Sequence, residues 1–226
     1  MPRTRNSDVE TEQSVTYAAV GATQAPDLLQ YPPRGYRPLQ LRSRIGHGDA
    51  RWQYAVDELL TAGIYRGAGM GLRLTPAPPV QTENAYRPVT FGEDGEPEAP
   101  AELAPAEQVY TADGRPMLRP GDEITVGLAV GTRLWFRLPT RVVLLEQSDE
   151  LVTYAVGTLP GHAFRGEEAF TLDRTPDGSV WLTVRSFARP AKWWGWLAFP
   201  VLATARVMIA ERFLTALAGP IPTRHA

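Results

Sequence analysis

Residues 151–187 read LVTYAVGTLPGHAFRGEEAFTLDRTPDGSVWLTVRSF. Three runs within this segment, Leu151–Leu159, Glu167–Asp173 and Ser179–Phe187, have the length and β-branched or aromatic content of strands. Pro160-Gly161 breaks the first from the second, and Asp177-Gly178 is hairpin-turn chemistry between the second and third. Upstream the pattern repeats. Ile124, Val126, Leu128 and Val130 alternate, and Gly131-Thr132 interrupts them. Leu134, Phe136 and Leu138 then alternate with Arg133, Trp135 and Arg137, and Arg141–Gln147 follows. Turns spaced ~8–12 residues apart mark an antiparallel meander, sandwich or barrel.

Further out, Leu39, Leu41 and Ile45 alternate with Gln40, Arg42 and Arg44 in a half-buried strand. A helix over 49–62 follows, with Asp49 as N-cap, Gly63 as stop and Trp52, Ala55, Val56, Leu59 and Leu60 on one face. Residues 64–74 read as extended, with Gly67, Gly69 and Gly71 stripping one face for a close crossing, a bulge or a ligand. The proline- and acid-rich stretch 76–116 reads as a long surface excursion or lid, with weak strand signals at 85–91 and 108–110. The chain ends in a helix over about 196–218, stopped by Gly219-Pro220. The expectation is a mainly β fold: an antiparallel barrel of about eight to ten strands, one short helix after the first strand and a long C-terminal helix. Residues 1–16 read as a disordered tail, 17–219 as a single barrel domain and 220–226 as a flexible tail.

The composition narrows the function. The 226 residues contain no cysteine, which removes disulfides, thiolate chemistry and zinc–sulfur sites. A formal net charge of -2 demands neither nucleic acid nor an anionic membrane. MPRTRNSDVE has no apolar core of a secretory signal, and the apolar window Trp193–Ala205 is too short to span a bilayer, so the expected location is the cytoplasm. Trp193, Trp194 and Trp196 beside Lys192 read either as an interfacial membrane anchor or, more strongly, as closure of the barrel mouth. GAGMG at 67–71 lacks the lysine and the strand-to-helix setting of a phosphate loop. The three histidines, His47, His162 and His225, lie far apart, and no metal-ligand or G-x-S-x-G spacing occurs. No cofactor and no metal are expected.

The densest polar chemistry lies in 154–170. Thr158 ends a strand, and His162, Arg165 and the pair Glu167–Glu168 follow the turn. Strand alternation sends the two glutamates to opposite faces. Glu168 shares its face with Phe170 and Leu172 and is the inward candidate. In an apolar cavity its pKa would rise into the range of a general acid or base. Tyr154 shares a face with Val152, Val156 and Thr158, as core or as a donor into a cavity. Arg206 sits among Leu202, Ile209 and Phe213, where a cation needs a carboxylate partner, a wet cavity or an escape to solvent. For each of these residues a structural role, such as a turn cap or a surface ion pair, is the competing reading.

The run GTLPGHAFRGEEAF (157–170) resembles the hallmark of the DUF1990 family. So do Val20-Gly21-Ala22-Thr23, Pro33-Arg34-Gly35-Tyr36, Arg66-Gly67-Ala68-Gly69, Pro139–Val143 and Ser186–Pro190. Together these pieces cover most of the chain from Tyr17 to Leu217, although 76–116 is longer than the family pattern. The resemblance implies a cavity-bearing β fold in the style of helix-grip and barrel lipid binders. Some similar proteins look like cofactor-free cyclases that form spiroacetals in polyketide pathways. The expected activity is therefore general acid–base ring closure on a hydrophobic, polyketide-like molecule. Glu168, Tyr154, His162, Thr158, Arg66 and Arg206 are its candidate site residues. The alternative is a non-catalytic binder or carrier of a hydrophobic small molecule. No nucleic-acid partner is expected, a membrane is disfavoured, and the oligomeric state is open.

Overall fold

The computed structural model describes residues 14–77, 108–130, 134–192 and 199–221. Seven strands form one antiparallel sheet: β1 (Arg37–His47), β2 (Gly71–Thr75), β3 (Glu123–Val130), β4 (Leu134–Gln147), β5 (Leu151–Thr158), β6 (Phe164–Arg174) and β7 (Ser179–Pro190). Their order is β1-β7-β6-β5-β4-β3-β2, so consecutive strands from β2 to β7 pair as a meander and β1 joins at the far side. Among the described residues, α-helices α1 (Asp49–Leu60), α2 (Gly63–Gly67) and the long α3 (Phe199–Ala216) accompany them, with a short 3-10 turn at Ala22–Gln24. Among the described residues β1 and β2 do not pair with each other. The expected barrel is a curled open sheet gripped by a helix, with fewer strands among the described residues than anticipated, since 134–147 runs as one strand. That strand shifts register between Val142 and Leu144 instead of breaking near Pro139.

The sheet is covered on both sides at its centre. Every residue of β5 after Leu151 is buried. On the inner face, Val152, Tyr154, Val156, Phe170, Leu172, Leu182 and Val184 pack against Leu59 and Leu60 of α1, Ile64 and Tyr65 of α2, and Phe213 and Leu217 of α3. Phe170 is the hub, with ring centroids 5.1 Å from Tyr154, 5.1 Å from Phe213 and 5.7 Å from Tyr65. On the outer face, residues 14–36 lie over β5–β7, where Tyr17 and Tyr36 pack edge-on against Phe187.

Several local expectations change. Asp49 is the first helical residue, not the cap. Gly48 precedes the helix, and the Asp49 carboxylate pairs with Arg174 at 2.6 Å in the turn where the helix dipole favours an anion. Gly63 does not stop α1. The helix ends at Leu60, Ala62 takes the left-handed conformation (φ 55°), and Gly63 opens α2. Residues 63–67 are thus helical rather than extended, and only Gly71–Thr75 forms a strand. The close crossing anticipated there falls at Gly67, where a Cβ would sit 3.0 Å from that of Ala216 on α3. The Asp177-Gly178 turn forms as read. Its carboxylate accepts from the Ser179 amide at 3.1 Å and the Ser179 hydroxyl at 2.9 Å, which with the Thr175 hydroxyl holds it down at about pKa 2. The strand signal at 85–91, most of the excursion and the tryptophans at 193–196 lie outside the described residues, and Gln108–Tyr110 contributes a single bridge, Tyr110 to Pro116.

Candidate active site

The register of the sheet builds the site. On the inner face Val156, Glu168, Ser186 and Leu39 lie side by side on β5, β6, β7 and β1. Glu168 is thus the single carboxylate in an otherwise apolar row, with a serine hydroxyl as its lateral neighbour. Arg206 reaches this row from α3, donating from Nη2 to Ser186 Oγ at 2.9 Å and from Nη1 to the Arg37 carbonyl at 3.4 Å. Its guanidinium also lies 6.0 Å from the Phe164 ring.

These groups line a cavity of about 120 Å³ between the sheet and α3, walled mainly by Tyr65, Val156, Phe164, Ile209 and Phe213. Burial raises the Glu168 carboxyl to about pKa 7, and Arg206 opposes that rise without forming an ion pair with it. Burial correspondingly pushes the Arg206 guanidinium down, and Glu168 pulls it back. A carboxyl balanced this way exchanges a proton near neutral pH.

His162 also lines the cavity. Its Nδ1 lies 2.9 Å from the Phe164 amide nitrogen and 3.0 Å from the Phe164 carbonyl oxygen, so the backbone engages this ring nitrogen in either tautomer. Burial lowers this histidine to about pKa 4, so it is neutral at physiological pH rather than a cation. Thr158 lines the same cavity, but its hydroxyl is engaged by Thr16 at 2.6 Å and by the Gly166 amide at 3.0 Å. Tyr154 lies behind the wall, fully buried against Phe170. Its hydroxyl neighbours that of Tyr65 without the geometry of an ordinary hydrogen bond, and burial raises the pKa of both phenols.

Of the six residues expected at the site, the structure brings Glu168, His162, Thr158 and Arg206 to one cavity and holds Tyr154 a layer behind it. Arg66 stands apart: exposed, it donates to the Thr61 carbonyl at 3.1 Å and closes the end of α1. Sequence reasoning missed Ser186 and Tyr65. Ser186 was visible as the residue opposite Glu168 once β6 and β7 are registered through Asp177-Gly178. Tyr65 was hidden by the extended reading of 64–74.

Glu167 has a separate role on the outer face. It is 2% exposed and accepts from the Tyr17 hydroxyl at 2.6 Å, the Gly21 amide at 2.8 Å, the Thr23 amide at 3.0 Å and the Thr23 hydroxyl. It is an ionic clasp for the N-terminal segment. Among the described residues no group of three or more histidine or acidic side chains is placed to hold a metal ion, and no helix is long and apolar enough to cross a membrane.

Solved structures overlay on the chain only at low scores. A hypothetical protein of Helicobacter pylori overlays with a TM-score of 0.47 at 10% identity, covering 85% of this chain and 90% of that one. Norcoclaurine synthase of Thalictrum flavum, in complex with dopamine and hydroxybenzaldehyde, overlays with a TM-score of 0.40 at 9% identity, covering 80% of this chain and 86% of that one. At these scores the likeness bears on neither ligand nor reaction. Sequence relatives are nearer. A UPF0548 protein of Arabidopsis thaliana is 35% identical over 72 residues, 29% of this chain and 35% of that protein. A UPF0548 protein of Deinococcus radiodurans is 38% identical over 79 residues, 34% of this chain and 40% of that protein. The chain thus spans well under half the length of these relatives. The family model described as a domain of unknown function, DUF1990, matches residues 16–94 and 102–216, and the chain belongs to that family.

Proposed function

We propose that the inner cavity binds a small, largely apolar molecule bearing oxygen functions, and that Glu168 moves a proton to and from it without a cofactor. One observation carries this reading: in a cavity walled mainly by apolar side chains, a carboxyl raised to about pKa 7 lies near the Arg206 guanidinium, which hydrogen-bonds Ser186 and the Arg37 carbonyl rather than forming an ion pair with it. A purely structural buried carboxylate would be satisfied as Glu167 is, by several donors. Glu168 has a single cation in electrostatic reach and is poised to exchange its proton.

Ring closure of a dihydroxyketone suits these groups. One hydroxyl adds to the ketone to give a hemiacetal. Glu168, protonated, gives its proton to the hemiacetal oxygen, which leaves as water. The second hydroxyl attacks the resulting oxocarbenium carbon and returns its proton to Glu168. The products are a spiroacetal and one water, and Glu168 ends as it began. The neutral His162 and the Ser186–Arg206 pair orient the oxygens. A cavity of about 120 Å³ is slightly smaller than the ~150 Å³ that holds benzene, so it encloses one ring and leaves the rest of a longer substrate outside. General acid–base help of this kind contributes roughly 100- to 10,000-fold in rate.

The test is turnover of a dihydroxyketone by the wild type and Glu168→Gln. A loss within that range supports the proposal, and unchanged turnover would remove Glu168 from it. A second reading, a binder that leaves its ligand unaltered, is favoured by Thr158 and His162 Nδ1 being occupied by the protein's own groups. Recovery of the probe unchanged after incubation, bound but unconverted, selects it.

A further inference from the structure

A second recess lies on the opposite side of the sheet, between residues 15–19, the turn at Pro33–Tyr36 and the end of β7. It is a groove of about 530 Å³, some four times the inner cavity, with Arg34 and Arg189 on its walls and no carboxylate among its described lining residues. Arg189 stacks 4.8 Å over the Tyr36 ring. Its Nη1 lies 3.9 Å from where a Cβ on Gly35 would be, so the turn carrying Arg34 closes directly on this guanidinium. A third cation adjoins. Arg165 on β6 is in direct register with Arg189 on β7.

Like charges opposite each other on a sheet are destabilising unless something neutralises them. Nothing in the described chain does so. Arg34, Arg165 and Arg189 have neither an ion pair nor a hydrogen bond to a carboxylate among the described residues. Of the acids on this face of β6, Glu167 is buried and turned to Tyr17 and Thr23, and Asp173 pairs with Arg42 at 2.6 Å. Guanidinium forks are matched by oxyanions, and two on one groove wall with a third on the adjoining strand favour an anion with more than one charge and three or more oxygens. The volume is that of a small-molecule site.

We propose that this groove binds the phosphate group of a small phosphorylated molecule, held by Arg34 and Arg189 with Arg165 completing the charge. The site is separated by the sheet from Glu168 and is independent of the chemistry proposed there.

The test is calorimetric titration of the full chain with inorganic pyrophosphate at fixed physiological ionic strength, with succinate as the carboxylate comparison. Saturable one-to-one binding of pyrophosphate, weaker with succinate, is expected. Arg34 is exposed and outside the core, so Arg34→Ala should fold and weaken binding by about tenfold or more. Arg165→Ala should act in the same direction, and Glu168→Gln should leave binding unchanged. Absence of saturable binding, equal affinity for succinate, or indifference to both arginine substitutions would overturn the proposal. Sedimentation with phosphatidate vesicles separates the sources of phosphate: binding to vesicles without binding to free pyrophosphate would assign a lipid headgroup and overturn the small-molecule claim.

Discussion

Glu167 and Glu168 are consecutive on β6, and their carboxylates lie on opposite sides of the sheet in opposite electrostatic settings. The first is saturated by two hydroxyls and two backbone amides of the N-terminal segment. The second stands in an apolar row, raised to about pKa 7 with Arg206 as its one opposing charge. The same side chain serves as a clasp in one place and as a proton-exchanging group in the other.

Removing the clasp should cost stability. Glu167→Ala leaves two hydroxyls (Tyr17 and Thr23) and two amides without their acceptor, for a loss of about 3 kcal/mol or more, given the cost of buried donors left unsatisfied. Urea denaturation measures the loss, and hydrogen exchange should show it concentrated at residues 16–24.

Glu168 should have the reverse sign. An acid whose folded-state pKa is raised holds its proton more tightly in the folded than in the unfolded chain. Its contribution is complete below the ordinary value of 4.5 and is lost as pH rises through about 7. Glu168→Gln should remove this loss, so between pH 5 and pH 8 the variant gains on the wild type by about 1–3 kcal/mol. Paired denaturation curves at the two pH values give the difference directly, and parallel curves would contradict the assignment.

Arg206 lowers the Glu168 carboxyl. Arg206→Met should therefore move the Glu168 titration upward, whereas Ser186→Ala should disturb it less, because it removes a hydrogen-bond partner of Arg206 and not the charge. Carboxyl-carbon NMR titration of the two variants distinguishes them.

Gly166 tests the register that places both glutamates. Its φ is +148°, and a Cβ there would lie 1.9 Å from the Phe187 carbonyl oxygen on the neighbouring strand. No side-chain rotation relieves a clash with backbone. Gly166→Ala should destabilise by several kcal/mol, at about the upper end of single-substitution effects, and shift the melting temperature accordingly.

The legible parts of this fold were those written in period two. β5, β6 and β7 follow from alternation, the turn between the last two from Asp177-Gly178, and Glu168 became the inward candidate because it shares its face with Phe170 and Leu172. Helix α2 was not legible. GIYRG has no helical period long enough to show one, and its conformation depends on Ala62 in a left-handed turn and on Gly67 fitting against Ala216. Arg66, a candidate site residue within a stretch matching the family pattern, closes α1 with its guanidinium instead. The site's charge balance was partly legible: Arg206 is conspicuous on an apolar helical face, but its partner Ser186 appears only after strand pairing. The burial of Glu167 was invisible because alternation points it outward, and only the folded path of residues 14–36 gives it a cover.

The most direct test of the central claim is the titration of Glu168 itself, followed by carboxyl-carbon NMR in the full chain with and without cyclohexanone as a cavity probe. The expected result is a midpoint near 7 that moves when the probe enters, with the perturbation absent from other glutamates. A midpoint at the ordinary carboxylate value of 4.5, unmoved by the probe, would contradict it.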